Sequence, residues 1–125
     1  IKGSITTESA KNEVSDNYLP RSANLYGSVN FNYYLDDWIF GIENIGSGSR
    51  YNDAANKSVN KIEGYIITNL VTNYAFNDKF SINVRLDNAL NKDYALAYEG
   101  SQEGGNSYVY QTPGRGLYTN LRYNF

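Results

Sequence analysis

Cysteine, histidine and methionine are all absent from this chain of 125 residues. Without cysteine, neither a disulfide framework nor a thiolate metal site can be built. The lack of histidine removes the usual general base and the commonest metal ligand, so no metal or other cofactor is expected and an enzyme is disfavoured. A formal net charge of −2 offers no basic surface to nucleic acid, and no nucleic-acid partner is expected. No apolar run approaches the roughly 20 residues that a membrane-spanning helix requires. That excludes helical spanning but leaves strands open, because membrane strands alternate and give only a weak hydropathy signal. Methionine is missing at position 1 too, where Ile1 already stands in an alternating run. The expectation is a piece of a longer protein, cut in or just before a strand.

What the chain does hold is tyrosine, asparagine and glycine, with 13, 18 and 11 residues against 2 prolines. That mixture suits tyrosine-rich strands joined by polar turns. The end of the sequence states the pattern most plainly. Leu117, Thr119, Leu121, Tyr123 and Phe125 alternate with Tyr118, Asn120, Arg122 and Asn124, the period of a half-buried strand. The same period predicts strands over 1–9, 25–35, 38–47, 64–76, 80–90 and 116–125. Asp36-Asp37 and Asn77-Asp78-Lys79 are tight hairpin turns, whereas 10–24, 48–63 and 91–115 are long polar connections. Short and long connections alternate, which puts both short turns at one end of an all-β, antiparallel up-and-down meander of six strands. Outer-membrane barrels sort their loops in this way, and their closing strand ends on an aromatic residue as this one does.

The two faces differ in kind. One phase holds Ile5, Leu25, Val29, Phe31, Phe40, Ile42, Leu70, Ile82, Val84, Leu86 and Leu121, with gaps filled by Gly, Thr and Asn and never by a charge. The other holds Lys2, Glu8, Glu43, Arg85, Asp87 and Arg122 with a run of asparagines. An Arg or Lys facing lipid at mid-bilayer costs about 2–4 kcal/mol, and the interior of such a barrel is polar. Tyr33, Trp38, Tyr74, Phe76, Phe80, Tyr123 and Phe125 all fall at the short-turn end of the apolar face, as an interfacial aromatic girdle would.

Three stretches carry a resemblance. They are Leu19-Pro20-Arg21, Val84-Arg85-Leu86-Asp87-Asn88-Ala89-Leu90-Asn91-Lys92-Asp93-Tyr94, and Tyr110-Gln111-Thr112-Pro113-Gly114-Arg115. They resemble the L-P-R strand start, the N-L-F-D-K-x-Y signature and the Y-x-x-P-G-R lead-in to the last strand of TonB-dependent outer-membrane receptors. Ala89 and Leu90 depart from the family's usual Leu and Phe, without a change of polarity. The resemblance implies a roughly 22-stranded transmembrane β-barrel around a plug. Residues 1–125 would be the C-terminal part of its barrel domain, with the plug and earlier strands outside them. Six strands cannot close alone, since such barrels have about eight or more.

The implied function is active uptake of a scarce nutrient at the Gram-negative outer membrane, by a multi-pass barrel. The implied partners are outer-membrane lipid, the rest of the barrel and plug, TonB through a segment outside this chain, and the barrel-assembly machinery through the terminal strand. Spacing within the family is most similar to the cobalamin receptors, and ferric siderophore receptors share much of it. The resemblance would place Arg21, Arg50, Tyr51, Asn52 and Asn56 at the extracellular mouth, in contact with ligand. A plainer expectation for Arg21 is a loop-end pair with Asp16 or Glu13, and for Arg115 a role in fixing the turn into the last strand.

Other signals carry little. Asn56-Lys57-Ser58 matches a glycosylation acceptor that is common by chance. Gly46-Ser47-Gly48 and Gly104-Gly105 precede no helix, so they are not phosphate cradles. Glu43 and Asp87 are expected on the polar face with no acid–base pairing. Glycines 3, 27 and 41 are expected to ease curvature or close packing. Two other functions remain open: a passive porin-like channel segment and a soluble β-sandwich binding module.

Overall fold

The computed structural model describes residues 1–100 and 108–125, and the Gly104-Gly105 pair lies outside them. The described strands are β1 (Lys2–Thr7), β2 (Leu25–Leu35), β3 (Trp38–Ser47), β4 (Arg50–Tyr51), β5 (Lys61–Ile62), β6 (Tyr65–Ala75), β7 (Phe80–Asp87), β8 (Ala95–Glu99), β9 (Tyr108–Gln111) and β10 (Gly116–Tyr123). One antiparallel sheet runs β1-β2-β3-β6-β7-β10, so the six predicted strands form the expected meander with no crossover. Strand β7 stops at Asp87 rather than 90 because Asn88 turns to a positive φ of 48°. Asn and Asp tolerate that conformation better than other side chains. Two of the long connections hold structure that the sequence reading left as loop: the β4–β5 hairpin, with a 3-10 turn at Ser58–Asn60, and the β8–β9 hairpin.

Pairing register fixes the faces. Phe31 lies opposite Ile42, Ile42 opposite Leu70, Leu70 opposite Leu86, and Leu86 opposite Leu117, an apolar row across five strands. On the other face Asn73 lies opposite Asn83 and Asn83 opposite Asn120, and Asn83 Nδ2 donates to Asn73 Oδ1 at 2.7 Å. A slip by one residue would move every apolar side chain to the polar face. Both faces are as the alternation predicts.

Nothing covers the apolar face within the described residues. Ile62, in β5 of the loop hairpin, is the one fully buried large side chain among the described residues, while Phe31 and Leu70 on the apolar face remain 44% and 41% exposed. Each half-exposed side chain of this size forgoes roughly 1 kcal/mol of transfer free energy in water. A sandwich would bury this face against a second sheet; the described residues place this face on a single sheet layer.

The short turns close one end. Leu35 pairs with Trp38 around Asp36-Asp37, where Asp36 takes a φ of 47°. Asn77 Oδ1 accepts from the backbone of Lys79 and Phe80 at 2.9 and 3.0 Å, which ties the second turn. Asn124 N donates to Lys79 O at 2.8 Å, placing the end of the chain beside that turn. The aromatics at this end form a row of four, Trp38, Tyr74, Phe76 and Phe80, and a separate pair, Tyr123 and Phe125. Ring centroids lie 4.4 Å apart for Trp38 and Tyr74, 4.8 Å for Tyr74 and Phe76, 4.8 Å for Phe76 and Phe80, and 5.1 Å for Tyr123 and Phe125.

Candidate functional site: the loop cluster at the open end

The three long connections meet at the end opposite the turns, with the β4–β5 hairpin tied to both of the others. Toward 10–24, the Asn56 side chain donates to Tyr18 O at 2.9 Å and accepts from Tyr18 N at 2.6 Å. Asn17 Nδ2 donates to Ala54 O at 2.9 Å, and Arg21 N donates to Tyr51 O at 2.6 Å. Toward β8, Asn52 Nδ2 donates to Tyr98 O at 2.8 Å while its Oδ1 accepts from Tyr98 N at 3.0 Å. Arg50 Nη2 donates to the carbonyls of Ala95 and Leu96 at 3.3 and 2.8 Å. Asn52 and Asn56 thus each bond both backbone groups of one residue, as a strand neighbour would, and satisfy groups that the short β4–β5 and β8–β9 ladders leave free.

The five residues expected at the mouth are all in this cluster, in different roles. Arg50 is only 8% exposed and lies over the Tyr65 ring at 5.9 Å. Asn52 and Asn56 are half-buried and occupied by backbone. Tyr51 stacks on Tyr18 with centroids 6.4 Å apart. Arg21 is exposed, at a φ of 61°, and bonds Asn52 Oδ1 and Tyr98 O at 3.3 Å each. Its expected pairing with Asp16 or Glu13 does not form; Lys11 takes Asp16 at 3.0 Å instead. That contact holds the Lys11 ammonium above its ordinary range.

Sequence reasoning missed Tyr18 and Tyr98, whose backbones do the joining, and no side-chain signal could have marked them. It also passed over β8–β9, although Tyr108-Val109-Tyr110-Gln111 has strand composition. Tyr110 in that hairpin donates to Glu99 Oε2 at 2.7 Å, and the carboxylate pushes its phenol above the usual value.

Two of the sequence motifs meet below the loops. Asn88, buried on the polar side, clamps Lys92 by donating to its carbonyl at 2.9 Å and accepting from its N–H at 2.8 Å. Asn91 Oδ1 accepts from Arg115 N at 3.3 Å, so Arg115 meets the turn through its backbone. On the polar face Arg85 bridges Glu43 at 2.7 Å and Asp87 at 2.6 Å, so both carboxylates lie on the expected face and are paired with one guanidinium. No group of histidine, aspartate and glutamate that could hold a metal is present among the described residues.

Solved structures share this arrangement of strands. The chain superposes on the copper transporter OprC with a TM-score of 0.79 at 23% identity, covering 98% of itself and 20% of that protein. For the ferric enterobactin receptor PfeA of Pseudomonas aeruginosa the TM-score is 0.76 at 21% identity, with 98% and 19% covered. For the siderophore receptor PiuA of Acinetobacter baumannii it is 0.72 at 17% identity, with 86% and 15% covered. The sheet shares the antiparallel β fold of the corresponding part of these receptors and this transporter. The vitamin B12 transporter BtuB of Photobacterium profundum is 29% identical over 85 residues, which is 68% of this chain and 14% of that protein. The chain thus spans about a seventh of that protein's length. No family model matches it. The four proteins named here are transporters and receptors.

Proposed function

We propose that this chain is the C-terminal part of the barrel domain of a TonB-dependent receptor, spanning the outer membrane six times and serving nutrient uptake. The observation that carries the reading is the single-layer sheet, apolar on one face and polar on the other. Its aromatic row lies at the short-turn end and its stapled loops at the opposite end. The apolar face meets lipid, the polar face meets the plug, and TonB acts through a segment outside these residues. The terminal strand β10 is the part the barrel-assembly machinery engages.

Vitamin B12 is the favoured cargo, supported by the likeness to the B12 transporter, with ferric siderophores next. Arg21 and Tyr51 are the members of the loop cluster placed to touch it. Arg50, Asn52 and Asn56 hold the loops in position around them. The test is uptake by cells making the full-length protein. Labelled cobalamin should accumulate only when TonB is present. Accumulation independent of TonB would point to a passive channel instead.

A further inference from the structure

One cavity in the loop cluster is lined by polar side chains that none of the staples uses. It measures about 170 Å³ and lies between the first two long connections. Ser22 and Asn24 line it from the lead into β2, Ser49 from just past β3, and Tyr18, Tyr51 and Lys61 from the loops themselves. Elsewhere in the cluster the amides of Asn17, Asn52 and Asn56 are engaged by the backbone of a neighbouring loop. The side chains of Ser22, Asn24, Ser49 and Lys61, by contrast, have no hydrogen-bond or ion-pair partner among the described residues. Partners for these groups come from outside the chain, as water or as a ligand.

The charges around the cavity have one sign. No aspartate or glutamate lines it. Lys61 is exposed and pairs with Tyr51 across the β4–β5 hairpin, so the two side chains share a face, and Tyr51 stacks on Tyr18. Arg50 pairs with Ile62, and both are buried on the opposite face of the hairpin. There the Arg50 guanidinium bonds only carbonyls, and its Nη1 has no partner among the described residues. Its charge is balanced by no carboxylate there, and adds to the positive potential on the Lys61 side.

Fixed positive charge, hydroxyls and an amide able to donate, and no carboxylate make a setting for an oxyanion. Lysine meets phosphate as a point charge, and the neutral donors can serve the remaining oxygens. The volume equals that of roughly five waters, at about 30 Å³ each. It lies below the roughly 300–1,000 Å³ of a pocket for a whole drug-sized ligand. The space therefore suits a single group. We infer that the cavity at Lys61 binds a phosphate group, free or carried on the cargo.

Phosphorus-31 NMR of inorganic phosphate mixed with the full-length protein, in a detergent free of phosphorus, tests the site. Wild type should shift and broaden the signal saturably, and less so at high salt. Lys61→Gln should weaken binding about tenfold, the loss of one charge-assisted hydrogen bond, and Lys61→Arg should retain most of it. Lys57→Gln removes the same charge from the same hairpin at a residue outside the lining, and should leave binding unchanged. Heat-modified migration verifies that each variant is folded. No saturable signal in wild type would overturn the site and leave the cavity to water. Equal losses in Lys61→Gln and Lys57→Gln would overturn it as diffuse attraction to the hairpin. Labelled cobalamin then separates the sources of a bound phosphate: competition by inorganic phosphate assigns the cavity to a group of the cargo, and its absence assigns it to the free ion. Cobalamin uptake is read separately, so wild type that accumulates cobalamin without binding phosphate overturns this site alone. Phosphate binding without cobalamin uptake overturns the cargo alone.

Discussion

Asn52 pairs with Tyr98 as a strand residue would, giving one hydrogen bond at 2.8 Å and taking one at 3.0 Å across 46 positions of sequence. This side chain joins the β4–β5 hairpin to β8, while Asn56 on the same hairpin joins Tyr18. The extracellular loops of the proposed receptor are therefore one unit rather than three independent arms.

Replacing Asn52 with Ala should uncouple β8–β9 from the unit. Two lost hydrogen bonds amount to roughly 1–3 kcal/mol of local stability. Amide hydrogen exchange on the full-length receptor should accelerate by about tenfold at Tyr98 and its neighbours and stay unchanged in β7. Equal exchange across β8 in wild type and variant would show that the hairpin is held by something else.

Charge on the apolar face is the second case. Leu70→Arg, in the middle of the five-strand apolar row, should cost about 2–4 kcal/mol in a bilayer. Asn83→Asp, on the polar face, should be tolerated. Urea-dependent folding into vesicles, followed by heat-modified migration, measures both. A tolerated Leu70→Arg together with a damaging Asn83→Asp would invert the assignment of lipid and lumen.

The terminal strand gives a third. Tyr123 and Phe125 pack edge to face at the girdle end, and β10 pairs along one edge with β7. Deleting Phe125, or Tyr123→Asp, should reduce the amount of receptor reaching the outer membrane several-fold. Unchanged levels for both would remove the terminal strand as an assembly signal.

Tyr110 offers a pH-dependent readout. Its phenol is raised because it donates to the Glu99 carboxylate, and ionising it would set two negative charges side by side. A raised folded value means that the contact is intact at neutral pH and lost only as pH rises through the folded value. Carbon-13 labelled tyrosine should show Tyr110 titrating above the ordinary phenol value, and Glu99→Gln should bring it down. An unchanged Tyr110 titration in Glu99→Gln would refute the pairing.

How much was legible follows from the range of the interactions. Strands β2, β3, β6, β7 and β10 and their faces follow from local alternation and from turn residues such as Asp36-Asp37 and Asn77. A one-residue slip would move charge onto the apolar face, but a two-residue slip would keep both faces, so the register between strands joined by long connections was decided by the tertiary pairing. The loop cluster is another matter. Arg21 and Arg50 could be marked as cations in a loop, yet that one is exposed and the other buried under Ala95 and Leu96 was decided by contacts 45 or more positions away. Asn52 and Asn56 bond backbone atoms, which every residue possesses, so no pattern of side chains could name their partners. Alternation along the chain thus determined the sheet and its two faces. Only the tertiary structure decided which loop residues are staples, which face outward and which line the polar cavity, because these depend on neighbours brought together by pairing.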